Sequence, residues 1–347
     1  MSSKTKSVTA VLIVLALVAG VGMTKAGSKY KTQDKVNLIF ANVTSNSAKK
    51  AGEKFKELVE EYSDGDITVD LFQDNQLGDD KTAAEGVQNG DIDIAVSSSS
   101  SLSTLYKDYY IYDTPYLFLN SQEVYDVGFD GKAAQEMLKG VSKVGLKHMA
   151  MWENGFRNYT NNDHAIETPA DCKGQKIRTM ENPIHLKAWK SIGANPTPMA
   201  FSELFTAMQQ GTVDGEENPI GIIYSNRFYE VQKYISMTQH VYTPYVVVMN
   251  PDKYDSLTDE QQKIIDKAMK EASAYQLEVS AKDEEEGLKE MEKYGCEVNT
   301  LTDDQKKEFQ KLIEDADVFS LAKSSMEHPE YFDKIQKELT QYREEGK

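Results

Sequence analysis

Cysteine and histidine are scarce in this sequence, which limits the chemistry open to it. The 347 residues include two cysteines, Cys172 and Cys296, and five histidines. The histidines show no spacing typical of metal ligands, and neither cysteine suggests a metal site or a nucleophile. In an oxidising compartment the two cysteines can pair or stay reduced, and the sequence leaves both alternatives open.

The common catalytic motifs are also missing. The sequence has no P-loop, no glycine fingerprint after its first predicted strand, no G-x-S-x-G elbow and no H-E-x-x-H motif. Carboxylates are abundant, but most fit the solvated faces of helices. We therefore expect a protein that is not an enzyme, with a secreted hydrolase acting on a small acid as the distant alternative.

Positive charge is in short supply. Against 56 aspartates and glutamates the chain has 39 lysines and arginines, which gives a net charge of −17. A surface this negative disfavours nucleic acid or an anionic membrane as a partner. An anionic ligand would have to be held by local arginines against the overall field.

A long apolar run occurs near the N-terminus. Lys4 and Lys6 precede an apolar stretch from Val8 to Met23, and Ala26 supplies a small residue for cleavage. This layout predicts a secretory signal peptide at residues 1–26, with an uncleaved anchor as the alternative. No cysteine follows the stretch, so we expect no lipid anchor and an extracytoplasmic location: periplasmic, at the cell surface or secreted.

Beyond this stretch, short apolar runs alternate with amphipathic helical patterns, which is typical of an α/β fold. The opening elements are predicted as a strand at 36–40, a helix from Ser45, a strand at 67–72, a helix capped by Asp79 or Asp80, and a strand at 92–96. Further strands are predicted near 146–151, 177–180 and 245–249. This order predicts a largely parallel sheet whose strand ends face a cleft.

The last third of the chain predicts long helices. Thr258 and Thr302 each open a T-x-x-Q capping box, and the pattern after Thr258 contains no proline or glycine until Gly287. We therefore expect one unusually long helix. Together with a few strand crossings, it would join two lobes that each hold an apolar core.

Residues 152–220 are dense in features that a plain core does not need. A capped helical turn, a glycine turn and a strand ending in Arg178 follow one another, and a double-proline strand leads to a helix start at Phe201. Asn218 and Pro219 have the pattern of an N-cap and a first helical residue.

These motifs resemble the extracytoplasmic solute-binding proteins of TRAP transporters, and the resemblance covers essentially the whole chain from about Val36. Each landmark alone is weak, but eight occur in order. They are Gln76-Leu-Gly-Asp-Asp80, Asp113-Thr-Pro-Tyr-Leu-Phe118, Gly155-Phe-Arg157-Asn, Thr168-Pro-Ala-Asp, Lys176-Ile-Arg178, Phe201-Ser-Glu-Leu, Val213-Asp-Gly with Asn218-Pro, and Thr238-Gln-His240-Val-Tyr.

The resemblance implies a two-lobed periplasmic-binding-protein (Venus flytrap) fold with mixed sheets flanked by helices and a long helix spanning both lobes. We expect lobe I to comprise residues 35–154 and about 243–282, and lobe II residues 155–242 and about 283–347. The implied function is to bind a small organic acid and deliver it to membrane permease subunits. No cofactor is implied, and a monomer is the default.

The resemblance also implies residue roles in the second lobe. Arg178 resembles the arginine that forms a two-pronged salt bridge with the ligand carboxylate, and a planar guanidinium suits that fork. Arg157 resembles a second cation beside the carboxylate. Asn218 resembles an amide that hydrogen-bonds the carboxylate, and Phe201 an aromatic wall beneath the ligand.

In the first lobe, Asp80, Ser98 and Asn42 match positions that commonly touch the distal end of the ligand. The serine run at 97–101 would then be a hydroxyl-lined loop facing the cleft. The alternative is a flexible polar loop.

Structural roles compete with these assignments. Arg157 can instead orient the other arginine, Phe201 can be a hydrophobic staple, and Asn218 and Asp80 can be helix caps. Trp152 is expected in the core rather than in the cleft.

The sequence departs from the family pattern at a few positions. Cys172 stands where leucine is usual, Glu216 where glutamine is frequent, and Ser98 where some members carry an acid. The acid and tryptophan of metal-using keto-acid binders are not evident after Asn218, so we predict no metal.

Polar groups in the first lobe favour a hydroxylated ligand, a sugar acid such as a uronate or aldonate. A C4-dicarboxylate is the alternative, and it would need a further cation. A binding protein of an ATP-driven importer or a sensor partner would share the clamp.

Overall fold

The computed structural model describes residues 35–346, so the predicted signal peptide lies outside the described residues. The described chain forms two β-sheets flanked by helices, as the alternation of strand and helix patterns predicts. Between residues 35 and 346 no helix is both long and apolar enough to cross a membrane.

The strands divide between a five-stranded and a six-stranded sheet. They are β1 (Val36–Ala41), β2 (Ile67–Phe72), β3 (Ile94–Ser98), β4 (Lys147–Trp152), β5 (Arg157–Asn161), β6 (Lys176–Thr179), β7 (Asn195–Pro198), β8 (Gly215–Pro219), β9 (Tyr234–Met237), β10 (Tyr245–Met249) and β11 (Glu297–Thr300). The first sheet has the order β2-β1-β3-β10-β4, and the second β11-β9-β5-β8-β6-β7. β1 runs parallel to β2 and β3, whereas β10 is antiparallel to β3 and β4. The double-proline strand β7 lies at an edge, where missing N–H donors are tolerated.

The helices cover the sheets and extend to the C-terminus. They are α1 (Asn46–Tyr62), α2 (Asp80–Asn89), α3 (Ser99–Leu102), α4 (Ser121–Glu123), α5 (Lys132–Lys139), α6 (Pro183–Ser191), α7 (Leu204–Gln209), α8 (Ile220–Ser225), α9 (Pro251–Asp255), α10 (Asp259–Tyr294), α11 (Asp303–Asp315), α12 (Val318–Ser325) and α13 (Glu330–Glu344). Short turns of 3-10 helix, among them Pro169–Cys172 and Phe201–Glu203, connect them.

The predicted helix starts are confirmed at the level of single caps. Ser45 caps α1, and the capping boxes at Thr258 and Thr302 open α10 and α11. Of the two candidate caps for α2, Asp79 accepts the bond from the Thr82 amide. The carboxylate of the neighbouring aspartate is therefore free for another role.

The predicted long helix is confirmed as α10, which has 36 residues. It continues through Gly287, where a Cβ atom would come within 3.0 Å of the Tyr224 Cβ. This glycine therefore lets α8 approach the long helix closely and does not end it. The helix ends at Gly295, which has a left-handed φ of 111°.

Two short segments, 153–156 and 238–244, connect the sheets in addition to α10. They run side by side, because Phe156 pairs with Tyr242 in an antiparallel bridge. The Arg157 amide donates to the Val241 carbonyl oxygen at 2.9 Å. α10 packs against α1 and β4 near the first sheet and against α8 and β11 near the second.

The C-terminal segment contacts both parts of the chain. β11 joins the second sheet, whereas α13 packs against α5, which precedes β4 of the first sheet. Arg343 of α13 forms hydrogen bonds at 2.9 and 2.7 Å with the two carboxylate oxygens of Glu123. Residues 283–347 therefore do not pack against the second sheet alone.

Three local expectations change. β3 is shifted by two residues relative to the prediction, so the serine run forms the end of β3 and the helix α3 and is not a flexible loop. The prediction that Asn218 caps a helix is wrong: Asn218 lies in β8, and Pro219 occupies the N-cap of α8. Cys172 and Cys296 are both buried and free, so they do not pair in this structure.

Candidate functional site

A cavity of about 830 Å³, part of it open to solvent, is lined by residues from both sheets. The carboxyl ends of the parallel strands β1 and β3 supply one side, as expected for a cleft at strand ends. The lining consists of Val43, Thr44, Asn75, Asp79, Asp80, Lys81, Ser98, Ser100, Ser101, Thr104, Asn154, Arg157, Arg178, Met180, Glu181, Met199, Ala200, Phe201, Asn218, Ile222 and Tyr245. Six of the seven predicted site residues are among them.

Arg178, at the end of β6, is a buried cation without an acidic partner. Its Nε and Nη2 atoms donate to the Met199 carbonyl oxygen at 3.1 and 2.8 Å, and Nη1 has no hydrogen-bond partner. Within residues 35–346 no carboxylate oxygen lies within ion-pair distance of it. Burial, and then repulsion from Arg157, lowers the pKa of the guanidinium to about 10, so it remains charged at neutral pH.

Arg157, at the start of β5, also lines the cavity but is paired. Its Nε and Nη2 donate to the two carboxylate oxygens of Glu217 at 2.5 and 2.9 Å, and Nη2 also contacts the Glu217 carbonyl oxygen. His240 Nε2 lies 3.0 Å from the same carboxylate. Burial opposes ionisation of Glu217, but the charge of Arg157 and the bond from His240 outweigh it, so the pKa of this carboxyl lies well below its usual range.

Asn218 lies in β8 and lines the cavity, and its side-chain amide is hydrogen-bonded to a buried carboxyl group. Its Nδ2 donates to a Glu216 carboxyl oxygen at 2.5 Å, which explains why this side chain does not cap α8. Thr160 on the neighbouring strand β5 contacts the other Glu216 oxygen at 2.9 Å. Glu216 itself is fully buried.

Phe201 lies beside the unpaired arginine. The Arg178 Cζ is 5.9 Å from the centre of its ring, within the range of a cation–π contact. On another side the ring packs against Phe228, with ring centres 5.7 Å apart. Phe201 therefore lines the cavity on one side and packs against Phe228 on the other.

The opposite side of the cavity carries Asp80 and Ser98. The Ser98 amide donates to Asp80 Oδ2 at 2.7 Å, and the Ser98 hydroxyl accepts from the Ser100 amide at 3.3 Å. Burial raises the pKa of the Asp80 carboxyl to about 6, against the opposing effect of the Ser98 amide. This side thus presents a carboxyl group and hydroxyls.

Asn42 is the predicted site residue that does not line the cavity. Its Nδ2 donates to the Ala48 carbonyl oxygen at 2.7 Å, and its Oδ1 accepts from the Val43 amide at 2.9 Å. These bonds shape the turn after β1, and the next two residues, Val43 and Thr44, reach the cavity in its place. Trp152 is in the core, as expected, with its Nε1 donating to Ser273 at 2.7 Å.

Several lining residues were missed in the sequence. Asn154 immediately precedes the Gly155-Phe-Arg157-Asn motif, so its position beside the motif was a signal for it. Tyr245 begins an apolar strand whose pattern predicts burial in the core. Lys81 follows Asp80 in α2, where a lysine is common on an exposed helix face, so neither residue gave a signal of its own. In the part of the chain that the structure describes, no group of three or more His, Cys, Asp or Glu side chains is arranged to hold a metal ion.

Comparison with known proteins identifies the family of this chain. Residues 40–317 match the model of the bacterial extracellular solute-binding proteins of family 7. The 2,3-diketo-L-gulonate-binding periplasmic protein YiaO of Escherichia coli is 38% identical over 250 residues, which are 72% of this chain and 76% of that protein. The C4-dicarboxylate-binding protein DctB of Bacillus subtilis is 33% identical over 263 residues, 75% of each chain.

A solved structure extends the similarity to the fold. The sugar acid binding protein DctPAm of Advenella mimigardefordensis, in complex with galactonate, superposes with a TM-score of 0.83 at 30% identity. The match covers 88% of this chain and 98% of that one. The chain therefore has the two-lobed fold of periplasmic binding proteins, and it belongs to the TRAP-transporter family of extracellular solute-binding proteins, family 7.

Proposed function

We propose that this chain is an extracytoplasmic solute-binding protein that holds the carboxylate of a small organic acid on Arg178 and releases it to membrane permease subunits. The observation that carries the proposal is the buried Arg178 guanidinium, which lines the cavity without an acidic partner and with an unbonded Nη1. A buried charge that lacks a partner is costly, and a ligand carboxylate would supply that partner.

The opposite side of the cavity favours a hydroxylated ligand. Asp80, Ser98 and Ser101 offer a carboxyl group and hydroxyls that suit sugar hydroxyls. The relatives that bind 2,3-diketo-L-gulonate and galactonate support a sugar acid for this chain as well. The aromatic ring of Phe201 would pack beneath the ligand.

A C4-dicarboxylate is the second candidate, and one observation favours it. Lys81 lines the cavity beside Asp80 and is the kind of cation that a second carboxylate would need. Its contact with Glu85 is long, at 3.9 Å, and both side chains are about half exposed, so the lysine is available to a ligand. The dicarboxylate-binding relative from Bacillus subtilis supports this alternative.

Closure of the cavity is proposed to occur about the connections between the sheets. Lobe I would comprise residues 35–154 and about 243–282, and lobe II the intervening residues with the segment from about 283. The paired segments 153–156 and 238–244 would act as the hinge, and α10 would tie the lobes together. Closure would exclude water and strengthen the arginine–carboxylate bonds.

We also propose where the protein is located and in which oligomeric state it acts. The N-terminal signal at 1–26 would direct it out of the cytoplasm, without a lipid anchor, and it would act as a monomer. No chemical step is proposed, so a bound acid should be recovered unchanged.

A thermal-shift screen tests the proposal. Residues 27–347 would be melted with galactonate, glucuronate, succinate and malate, and with galactose as the matched sugar that lacks a carboxylate. A ligand of the native state raises Tm by mass action, so an acid should raise it and galactose should not. A shift with galactonate or glucuronate supports the sugar acid, and shifts with only succinate or malate support the dicarboxylate. An equal shift with galactose, or none with any acid, would contradict the arginine assignment.

A further inference from the structure

The Thr160 hydroxyl lies between two oxygen acceptors. Its Oγ1 is 2.9 Å from Glu216 Oε1 and 3.1 Å from Gln232 Oε1. The orientation of the Gln232 amide is fixed, because its Nε2 donates to the Val231 carbonyl oxygen at 2.8 Å. Turning this amide over would bring two acceptor oxygens together.

One hydroxyl proton cannot satisfy both contacts. A hydroxyl has a single donor and can also accept, so the second contact needs a proton from its other partner. Gln232 Oε1 has none to give, but a protonated Glu216 does. All contacts are satisfied if Glu216 donates from Oε1 to Thr160 and Thr160 donates to Gln232.

The second oxygen of Glu216 fits the same arrangement. It accepts from Asn218 Nδ2 at 2.5 Å, so a neutral Glu216 acts as donor through one oxygen and acceptor through the other. This links the buried carboxyl to a side chain that lines the cavity. Glu216 has no exposed surface, so water cannot replace these partners.

The charged and titratable neighbours of Glu216 also favour its neutral form. Glu217, next in the chain, already carries the negative charge that matches Arg157. Tyr159 on β5 has a pKa well above its ordinary value because of burial and is neutral. Burial, and then repulsion from Glu217, raises the pKa of Glu216 to about 7 against the bonds from Asn218 and Thr160 and the charge of Arg157. Glu216 also interacts electrostatically with Arg178. An ionised Glu216 would therefore compete with a ligand carboxylate for electrostatic attraction to the Arg178 guanidinium.

We propose that Glu216 is a positioning residue that must be protonated for this chain to bind its acid ligand tightly. The inference rests on the proposed function, and it adds regulation by pH to that site. Neutral Glu216 holds the Asn218 amide in place and leaves the positive charge of Arg178 for the ligand. When Glu216 loses its proton, the Thr160 hydroxyl must turn to donate to the new carboxylate, and the cavity gains a negative charge close to where the ligand carboxylate binds.

The variant E216Q imitates the protonated state. A glutamine amide donates to Thr160 through its nitrogen and accepts from Asn218 through its oxygen, which reproduces the proposed bonds. The matched control is D283N, because Asp283 is a second buried carboxyl with a raised pKa and does not line the cavity. Removing that group should leave the step assigned to Glu216 in place.

The test is calorimetric titration from about pH 6.5 to about pH 9, a range in which the ligand carboxylates stay ionised. The probe is galactonate or succinate, whichever the wild type binds more tightly. We expect the Kd of the wild type and of D283N to rise about tenfold or more, and the Kd of E216Q to stay nearly constant. Titrations of the wild type at about pH 8 in two buffers of different ionisation enthalpy should also show proton uptake on binding, a measurement that needs no variant.

Two outcomes would overturn the inference alone: a flat profile for the wild type, or an equally steep profile for E216Q. Absence of binding by the wild type at every pH would instead overturn the proposed function, and the inference with it.

Discussion

Two regions of the cavity wall, one around Arg157 and one around Arg178, show two ways of burying a cation. Both side chains are almost completely buried and both line the same cavity. Glu217 neutralises Arg157 through two carboxylate bonds, whereas Arg178 has backbone oxygen as its partner. This difference is the basis for the proposal that Arg178, and not Arg157, holds the ligand carboxylate.

The environments of the two arginines follow from their strands. Arg157 on β5 lies beside β8, which supplies both Glu216 and Glu217. Arg178 on β6 lies between β8 and the edge strand β7, whose prolines and polar residues supply no acid. Glu217 on β8 pairs with Arg157 on one side, and Arg178 on the other side is left with a backbone oxygen as its partner.

The largest expected effect comes from breaking the paired region. Substitution E217A leaves the charge of Arg157 buried without a partner, which should lower the free energy of unfolding by about 4 kcal/mol. Urea unfolding followed by circular dichroism measures this. Its control is E230A, because the Arg227–Glu230 pair is at the surface, where solvent screening leaves it little effect on stability. If E217A and E230A lost the same free energy of unfolding, the buried pair would stabilise the fold no more than the surface pair does.

The second effect tests how the region around Arg178 would bind a carboxylate. R178K keeps the positive charge but loses the planar fork, so affinity for an acid ligand should fall by about 3 kcal/mol, roughly a hundredfold. Calorimetric titration with galactonate or succinate measures the change. K233R, at an exposed lysine outside the cavity, is the conservative control. Unaltered affinity in R178K would show that charge alone holds the ligand.

The third effect concerns the carboxyl beside both arginines. The pKa of Glu216 is raised to about 7 in the folded protein, above its value in the unfolded chain. Its contribution to the free energy of unfolding is therefore fully present below the pKa of the unfolded chain and is lost as pH rises through about 7. Without ligand, E216Q should therefore be more stable than the wild type at about pH 8, by about 2 kcal/mol, and this difference should vanish by about pH 4. Urea melts at the two pH values measure it, and a difference that does not depend on pH would contradict the shift.

The smallest effect comes from the ring beside Arg178. F201A removes a cation–π contact, and affinity for the ligand should fall by about 1 kcal/mol, roughly fivefold. F201L keeps most of the packing and separates the loss of the π face from the loss of volume. If both variants bind like the wild type, the ring serves the fold and not the ligand.

Local patterns in the sequence predicted much of the fold. The strands at 67–72 and 245–249 and the caps at Ser45 and Thr258 lie where the sequence places them, because alternation and capping depend on residues close in the chain. The α/β class and the long helix follow from the same short-range signals.

The site was predictable where a motif carries its own geometry. Arg178 lies next to the last residue of β6, and the end of this strand faces the cavity. The partners across strands were not predictable: Glu217 lies 60 residues from Arg157, and Gln232 lies 72 residues from Thr160. Those contacts depend on strand order and register, which a single sequence does not specify. Asn42 was misplaced for a related reason, since its side chain bonds back to its own turn.

The central claim is that the unpaired charge of Arg178 holds the ligand carboxylate. The most direct test is calorimetric titration of the wild type and of R178A with galactonate and succinate, with the melting of both proteins as a check on folding. We expect the wild type to bind an acid measurably and R178A not to bind it. The Tm of R178A should stay close to that of the wild type, because this substitution leaves no buried carboxylate without its partner. Near-normal affinity in a folded R178A would contradict the claim.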